Sequence, residues 1–110
     1  MYQYETITTR LWNIPVPIEE IVSMKLVFHT LTKTLLEKDT KECYIHKATV
    51  GNKTMTVVKV HLSQEESGKL TPGPVMRSFI IITKDGSRIE RRSDDLYVAP
   101  SGKKEVIANE

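Results

Sequence analysis

Turn-forming residues recur along this chain at short and regular intervals, and this spacing constrains the fold more than any other feature. Clusters of Gly, Pro, Asn and Asp recur about every 8 to 12 residues and separate the apolar runs from one another. The runs themselves are rich in β-branched residues and alternate apolar with polar side chains, which is typical of strands. This pattern favours an antiparallel β-sandwich over a fold of alternating strands and helices, which needs longer connections.

The strands that the pattern predicts most clearly lie in the second half of the chain. In residues 54–62, the side chains of Thr56, Val58, Val60 and Leu62 fall on one face. The sequence Lys84-Asp85-Gly86-Ser87 is a hairpin signal that joins residues 75–83 to a returning strand. We expect the returning strand, residues 88–98, to be broken at residues 93–95. Counting every such run gives about seven strands.

One short helix is predicted between Ser63 and Leu70. Ser63 can cap the helix, and Glu66, three residues later, can reach back to the backbone of the capping residue. Gly68 and the Pro-Gly-Pro sequence that begins at Pro72 limit the helix to about two turns.

The chain length and charge restrict the number of domains and the classes of partner. The 110 residues suffice for one domain, which we assign to residues 1–100, followed by a flexible C-terminal tail at residues 101–110. The 16 basic and 14 acidic side chains nearly balance, and aromatic residues are few, so no nucleic-acid partner is predicted. No apolar run is long enough to span a membrane, and the polar N-terminus does not resemble a signal peptide.

No residue pattern predicts catalysis, a metal site or a cofactor. Cys43 is the only cysteine, and on a strand it is expected to act as a small hydrophobic residue. The histidines His29, His46 and His61 lack the short paired spacings of metal ligands, although His29 and His61 could approach each other across a sheet. No glycine-rich phosphate loop and no nucleophile elbow occurs. We therefore expect a protein that is not an enzyme.

Two predicted strands are apolar on both faces, which is unusual where the outer face of a sandwich is solvated. We expect their outward side chains to form one apolar patch with a polar rim, and such a patch marks a protein interface. The alternatives are that another segment of the chain covers the patch, and that the rim arginines pair with Glu90 and Asp94 along a solvated strand. The predicted interface residues are Met55, Val57, Met76, Ile80, Ile82, Arg88 and Arg92.

A longer pattern of residues resembles a known group of phage proteins. Val60-His61-Leu62 is followed by Ser63-Gln64-Glu65-Glu66, by a Pro/Gly loop, and by an apolar strand that leads into Thr83-Lys84-Asp85-Gly86. Together with Ile14-Pro15-Val16-Pro17-Ile18 and Met24-Lys25-Leu26-Val27-Phe28, this layout resembles small virion structural proteins encoded in prophages of Gram-positive bacteria. The resemblance covers residues 6–99. It implies an immunoglobulin-like β-sandwich, similar in plan to the N-terminal domain of phage baseplate upper proteins.

The resemblance implies a structural role in a phage or prophage particle, at the tail, the baseplate or the head surface. Such a protein assembles in the cytoplasm of the bacterial host through contacts with other virion proteins or with copies of itself, and we expect a homo-oligomer. The first alternative is a bacterial adaptor or ligand-binding sandwich that binds through loops at residues 37–42 and 71–74. The second is a small enzyme on a β-scaffold, which would need a deep pocket with a histidine beside a carboxylate.

Overall fold

A computed structural model describes residues 1–101, which form eight strands, one α-helix and two 3-10 turns. The strands are β1 (Ile7–Ile14), β2 (Ile21–His29), β3 (Thr34–Lys38), β4 (Cys43–Val50), β5 (Lys53–Leu62), β6 (Gly73–Thr83), β7 (Arg88–Arg92) and β8 (Leu96–Val98). Helix α1 spans Gln64–Gly68, and the 3-10 turns span Ile18–Glu20 and Thr40–Glu42. The predicted flexible tail at residues 101–110 lies, apart from Ser101, outside the described residues.

The strands form two antiparallel sheets, which confirms the prediction of an all-β sandwich. The smaller sheet has the order β1-β5-β4, and the larger has the order β3-β2-β6-β7, with β8 also paired to β6. These neighbour relations are those of an immunoglobulin sandwich that lacks its first strand. In that comparison, β1, β5 and β4 occupy the places of strands B, E and D, and β3, β2, β6 and β7 occupy those of C′, C, F and G.

The strand that returns after the Asp85-Gly86 hairpin is divided in two, as the sequence predicts. Strand β7 pairs with residues 78–82 of β6, and β8 pairs with residues 73–75 of the same strand. Gly86 adopts a positive φ of 86°, which the tight hairpin requires and which a glycine adopts without steric cost. Because the returning strand is interrupted, the sandwich has eight strands rather than about seven.

The hydrophobic core lies between the two sheets and is built from alternate residues of the facing strands. Met24, Leu26 and Phe28 of β2 are almost completely buried, as are Val58 of β5 and Ile81 of β6. The core continues to Leu70, which follows α1 and is completely buried. Helix α1 carries the predicted capping box, since the Ser63 side chain accepts from the Glu66 backbone and the Glu66 side chain accepts from the Ser63 backbone.

Two segments that were expected to be loops are partly strands. Glu37 and Lys38 are the last residues of β3, so only residues 39–42 form the connection to β4. Gly73 and Pro74 begin β6 and pair with Val98 and Tyr97. Within residues 1–101, no helix is both long enough and apolar enough to cross a membrane.

Candidate functional site

The predicted interface residues lie on two separate surfaces. Met76, Ile80 and Ile82 of β6 share the outer face of the larger sheet with Arg88 and Arg92 of β7. Met55 and Val57 belong to β5, at the centre of the smaller sheet. Because both sheets direct their inner faces into the common core, their outer faces point in opposite directions. The prediction of one apolar patch across both strands is therefore wrong.

Val57 is also wrongly predicted as a surface residue, since its side chain is completely buried. Its cross-strand neighbour is His46 of β4, and β1 flanks β5 on the other side. Met55 is half-buried and lines a groove of about 550 Å³ between Pro17 and Lys47 at one end of the sandwich.

The outer face of the larger sheet carries an apolar stripe with polar residues on both sides. Ile80 pairs with Lys25 of β2 on one side and with Glu90 of β7 on the other. Ile82 lies between Ser23 and Arg88 in the same way. Both isoleucines are half-buried among these polar neighbours. We call this surface, formed by Ile80, Ile82 and their cross-strand neighbours, the Ile80 face.

The charged residues at the margins of the Ile80 face form ion pairs within the chain. Lys25 pairs with Glu37 at 3.7 Å, and Arg88 pairs with Glu90 at 2.8 Å. All four side chains are about half exposed, so each pair contributes less than about 1 kcal/mol and can be rearranged by a partner. The predicted alternative of ion pairing along the strand thus holds for Arg88.

Arg92 and the turn after β3 complete the borders of this surface. Arg92 pairs with Asp95 at 2.6 Å rather than with Asp94. A groove of about 320 Å³ separates Ile80 and Ile82 from Asp39 and Thr40. An apolar side chain of a second protein could enter this groove and contact both isoleucines, as interface anchors do.

The environment of Cys43 keeps its thiol protonated. Burial, reinforced by the nearby carboxylates of Glu42 and Asp39, raises the pKa of Cys43 to about 11. A thiol with such a pKa is a weak nucleophile at neutral pH, because the thiolate is the reactive form. The side chain behaves as the small hydrophobic residue that the sequence predicts.

His29 and His61 do not approach each other across a sheet, although the strand pattern allowed it. His29 lies on β2 of the larger sheet and His61 on β5 of the smaller sheet, so they cannot be neighbours within one sheet. The Nε2 atom of His29 lies 2.8 Å from the hydroxyl of Ser78, and its Nδ1 atom lies 3.0 Å from the carbonyl of Thr30. In the part of the chain that the structure describes, no group of three or more His, Cys, Asp or Glu side chains could hold a metal ion.

The sequence interpretation overlooked two residues, Arg77 and Trp12, which lie together between the edges of the two sheets. Arg77 occupies a core-facing position of β6, in phase with Phe79 and Ile81, and is only 9% exposed. Burial lowers the pKa of the Arg77 guanidinium, while Asp94 and Asp95 act in the opposite direction. Trp12 of β1 is 50% exposed beside it. The period of two along β6 would have identified Arg77 as an inward charge.

Comparisons with models of known protein families, with curated proteins and with solved structures find no match for this chain. A functional assignment therefore depends on the surfaces described above.

Proposed function

We propose that the protein is a structural component of a phage or prophage particle and acts by protein–protein assembly, with the Ile80 face as the contact between copies. The observation that carries this proposal is the apolar stripe of Ile80 and Ile82 with one exposed ion pair on each side. An apolar centre with a polar rim is the usual anatomy of a protein interface.

A second copy fits this surface because the rim carries both signs of charge on each side. Lys25 and Glu37 lie on one side of the stripe, and Arg88 and Glu90 lie on the other. A two-fold axis along the stripe would place Lys25 of one copy over Glu90 of the other, because both residues are cross-strand neighbours of Ile80. Burial of about 800 Å² on each copy makes such a contact stable, and many copies in a particle would add weak contacts together.

The solution mass tests the self-assembly part of this proposal. Light scattering over a range of concentrations should give a dimer or a larger closed oligomer for the native protein. Ile80→Lys and Ile82→Lys should give monomers, because a buried unpaired ammonium opposes the contact. Leu31→Lys is the matched control, since Leu31 is 87% exposed in the loop between β2 and β3. It should retain the native mass.

A native protein that stays monomeric at high concentration contradicts assembly through the Ile80 face. Dissociation by Leu31→Lys as well as by Ile80→Lys would show that another surface holds the oligomer. The virion role has a separate test: mass spectrometry of particles released by prophage induction should detect the protein in a fixed ratio to the capsid protein. Its absence from purified particles contradicts that role.

A further inference from the structure

The guanidinium of Arg77 is buried, and no carboxylate within residues 1–101 forms a salt bridge with it, although the charges of Asp94 and Asp95 offset part of the cost of its burial. Its Nε atom donates to the backbone carbonyl of Asp94 at 2.9 Å, and its Nη1 atom donates to the Thr9 hydroxyl at 2.7 Å. Both acceptors are neutral oxygens. Buried charges in proteins are usually paired with an opposite charge, because removing a charge from water costs several kcal/mol.

Arg77 lies at the base of a groove of about 390 Å³ between the edges of the two sheets. One wall is the edge strand β1, which contributes Arg10 and Trp12, and the other is the end of β7, which contributes Arg91 and Arg92. We call this feature the arginine groove.

The charge in the arginine groove is strongly unbalanced. Among the described residues, four arginines and one carboxylate, that of Asp94, line the groove, and the nearby Asp95 also acts on the charge of Arg77. Within residues 1–101, Arg10 forms no salt bridge, and the Arg91 side chain donates to the backbone carbonyl of Glu90. Arg92 is the one member that pairs, with Asp95 at 2.6 Å. The guanidinium groups of Arg10 and Arg91 are therefore available to an added anion.

Trp12 adds an apolar contact beside these charges. Its side chain is 50% exposed and lines the groove. Tryptophan and arginine are the residues that most often supply binding energy at protein interfaces, and arginine binds carboxylates through two parallel hydrogen bonds. A ligand that combines an anion with an apolar stem suits this set of side chains.

We propose that the arginine groove binds the carboxylates of an acidic peptide segment from a partner protein, and that Arg10, Arg77 and Arg91 hold them. The ligand supplies the direct carboxylate partner that the buried guanidinium of Arg77 lacks, and it covers Trp12. This site meets the Ile80 face only at Arg92 and does not require self-assembly.

A peptide fits the local charge pattern better than a nucleic acid does. Acidic residues interrupt the arginines along this edge, since Glu90 precedes Arg91 and Asp94 and Asp95 follow Arg92. A continuous row of phosphates would meet these carboxylates, whereas a peptide can place its charges at separate points. The chain also carries a formal net charge of only +2.

Trp12 is the chain's one tryptophan, so its fluorescence reports directly on the groove. Titration with a capped peptide of alternating glutamate and serine should change this fluorescence in a saturable and salt-sensitive way. The same peptide with glutamine in place of glutamate should not. Arg10→Ala and Arg91→Ala should each weaken binding of the glutamate peptide about tenfold, as expected for loss of a charge-assisted hydrogen bond.

Arg88→Ala is the matched control, because it removes an exposed arginine from the same β7 strand but outside the groove. It should leave the affinity for the peptide unchanged. Arg77→Met removes the buried charge and should abolish binding; if this variant does not fold, Arg10→Ala and Arg91→Ala still decide the question. Circular dichroism verifies the fold of each variant.

Three results would overturn the proposal. The first is a response to the glutamine peptide equal to that of the glutamate peptide. The second is an equal loss of affinity in Arg88→Ala, which would indicate attraction by net charge alone. The third is tighter binding of inorganic phosphate or of an oligothymidylate than of the glutamate peptide. Ile80→Lys should leave peptide binding intact, so failure of self-assembly and failure of this site are distinguishable.

Discussion

The ammonium group of Lys38 forms an ion pair with the carboxylate of Glu66, and this pair joins the end of β3 to helix α1. Lys38 is only 5% exposed, and Glu42 supplies a second carboxylate at 3.3 Å. Burial acts to lower the pKa of Lys38, but hydrogen bonds to Glu66 and Glu42 outweigh it, and the pKa is raised. The charged lysine can be buried because both carboxylates are present.

Loss of the Glu66 carboxylate should destabilise the fold. In Glu66→Gln, Lys38 stays buried with only the more exposed Glu42 as a partner, and we expect a loss of about 2 kcal/mol in the free energy of unfolding. Glu37→Gln is the control, since its pair with Lys25 is about half exposed and should contribute less than about 1 kcal/mol. Urea denaturation measures both. Equal losses would show that the buried pair contributes no more than a surface pair.

The stabilisation by this pair should depend on pH at both extremes. Burial acts to raise the pKa of Glu66, but its hydrogen bonds with Lys38 and the Ser63 backbone outweigh this effect, and the pKa is lowered. The contribution of Glu66 is therefore present above its unfolded pKa of about 4.3 and is lost as the pH falls through the lower folded value. The raised pKa of Lys38 has the opposite consequence. Its contribution is present below about pH 10.4 and is lost as the pH rises through the folded value.

Comparison of the native protein with Glu66→Gln at several pH values tests this pH dependence of stability. The difference in the free energy of unfolding should be constant between about pH 5 and pH 10, and should shrink toward about pH 3. Urea titrations at several pH values provide the measurement. A difference that persists unchanged at about pH 3 would mean that the Glu66 carboxylate does not stabilise the fold through its charge.

The burial of Lys38 also shows which features a sequence can predict. Alternation along β5 identified the residues of its buried face, because burial of every second residue is a local consequence of strand geometry. Lys38 stands in a run of charged residues and was assigned to a turn. Its burial depends on Glu66, which lies far along the chain and approaches only when α1 packs beside the end of β3.

The sequence predicted only part of the candidate site, because strand alternation is local whereas the pairing of strands is not. Ile80 and Ile82 lie on the outward face, as strand alternation requires once Phe79 and Ile81 face the core. Val57 was assigned with them, although β5 belongs to the opposite sheet. Which strands become neighbours is decided by long-range pairing, and alternation within one strand carries no information about that choice.

The N-terminal segment is held against α1 by a close contact between Tyr4 and Gly68. A Cβ atom added to Gly68 would lie 2.3 Å from Cε1 of the Tyr4 ring. Gly68→Ala should therefore destabilise the native protein by about 1 to 3 kcal/mol, since the ring must move. In the Tyr4→Ala background the same substitution should be neutral or stabilising, because alanine is the better helix former. A double-mutant cycle in urea measures the coupling, and an equal cost in both backgrounds would contradict it.

The thiol of Cys43 should be nearly unreactive in the folded protein. It is buried, and its pKa is raised to about 11 by burial and the neighbouring carboxylates, whereas an unfolded chain has a cysteine pKa of about 8.5. At about pH 8 the thiolate fraction should fall by more than about a hundredfold on folding, and reaction with a disulfide reagent should slow at least as much. Cys43 is the only cysteine, so the chromophore that the reagent releases reports on Cys43 alone. Cys43→Ser supplies the blank.

Native protein that reacts as fast as protein in concentrated urea would show that the β3–β4 edge opens freely. A rate that rises steadily with pH up to about 11 would confirm that the protonated thiol is the resting form.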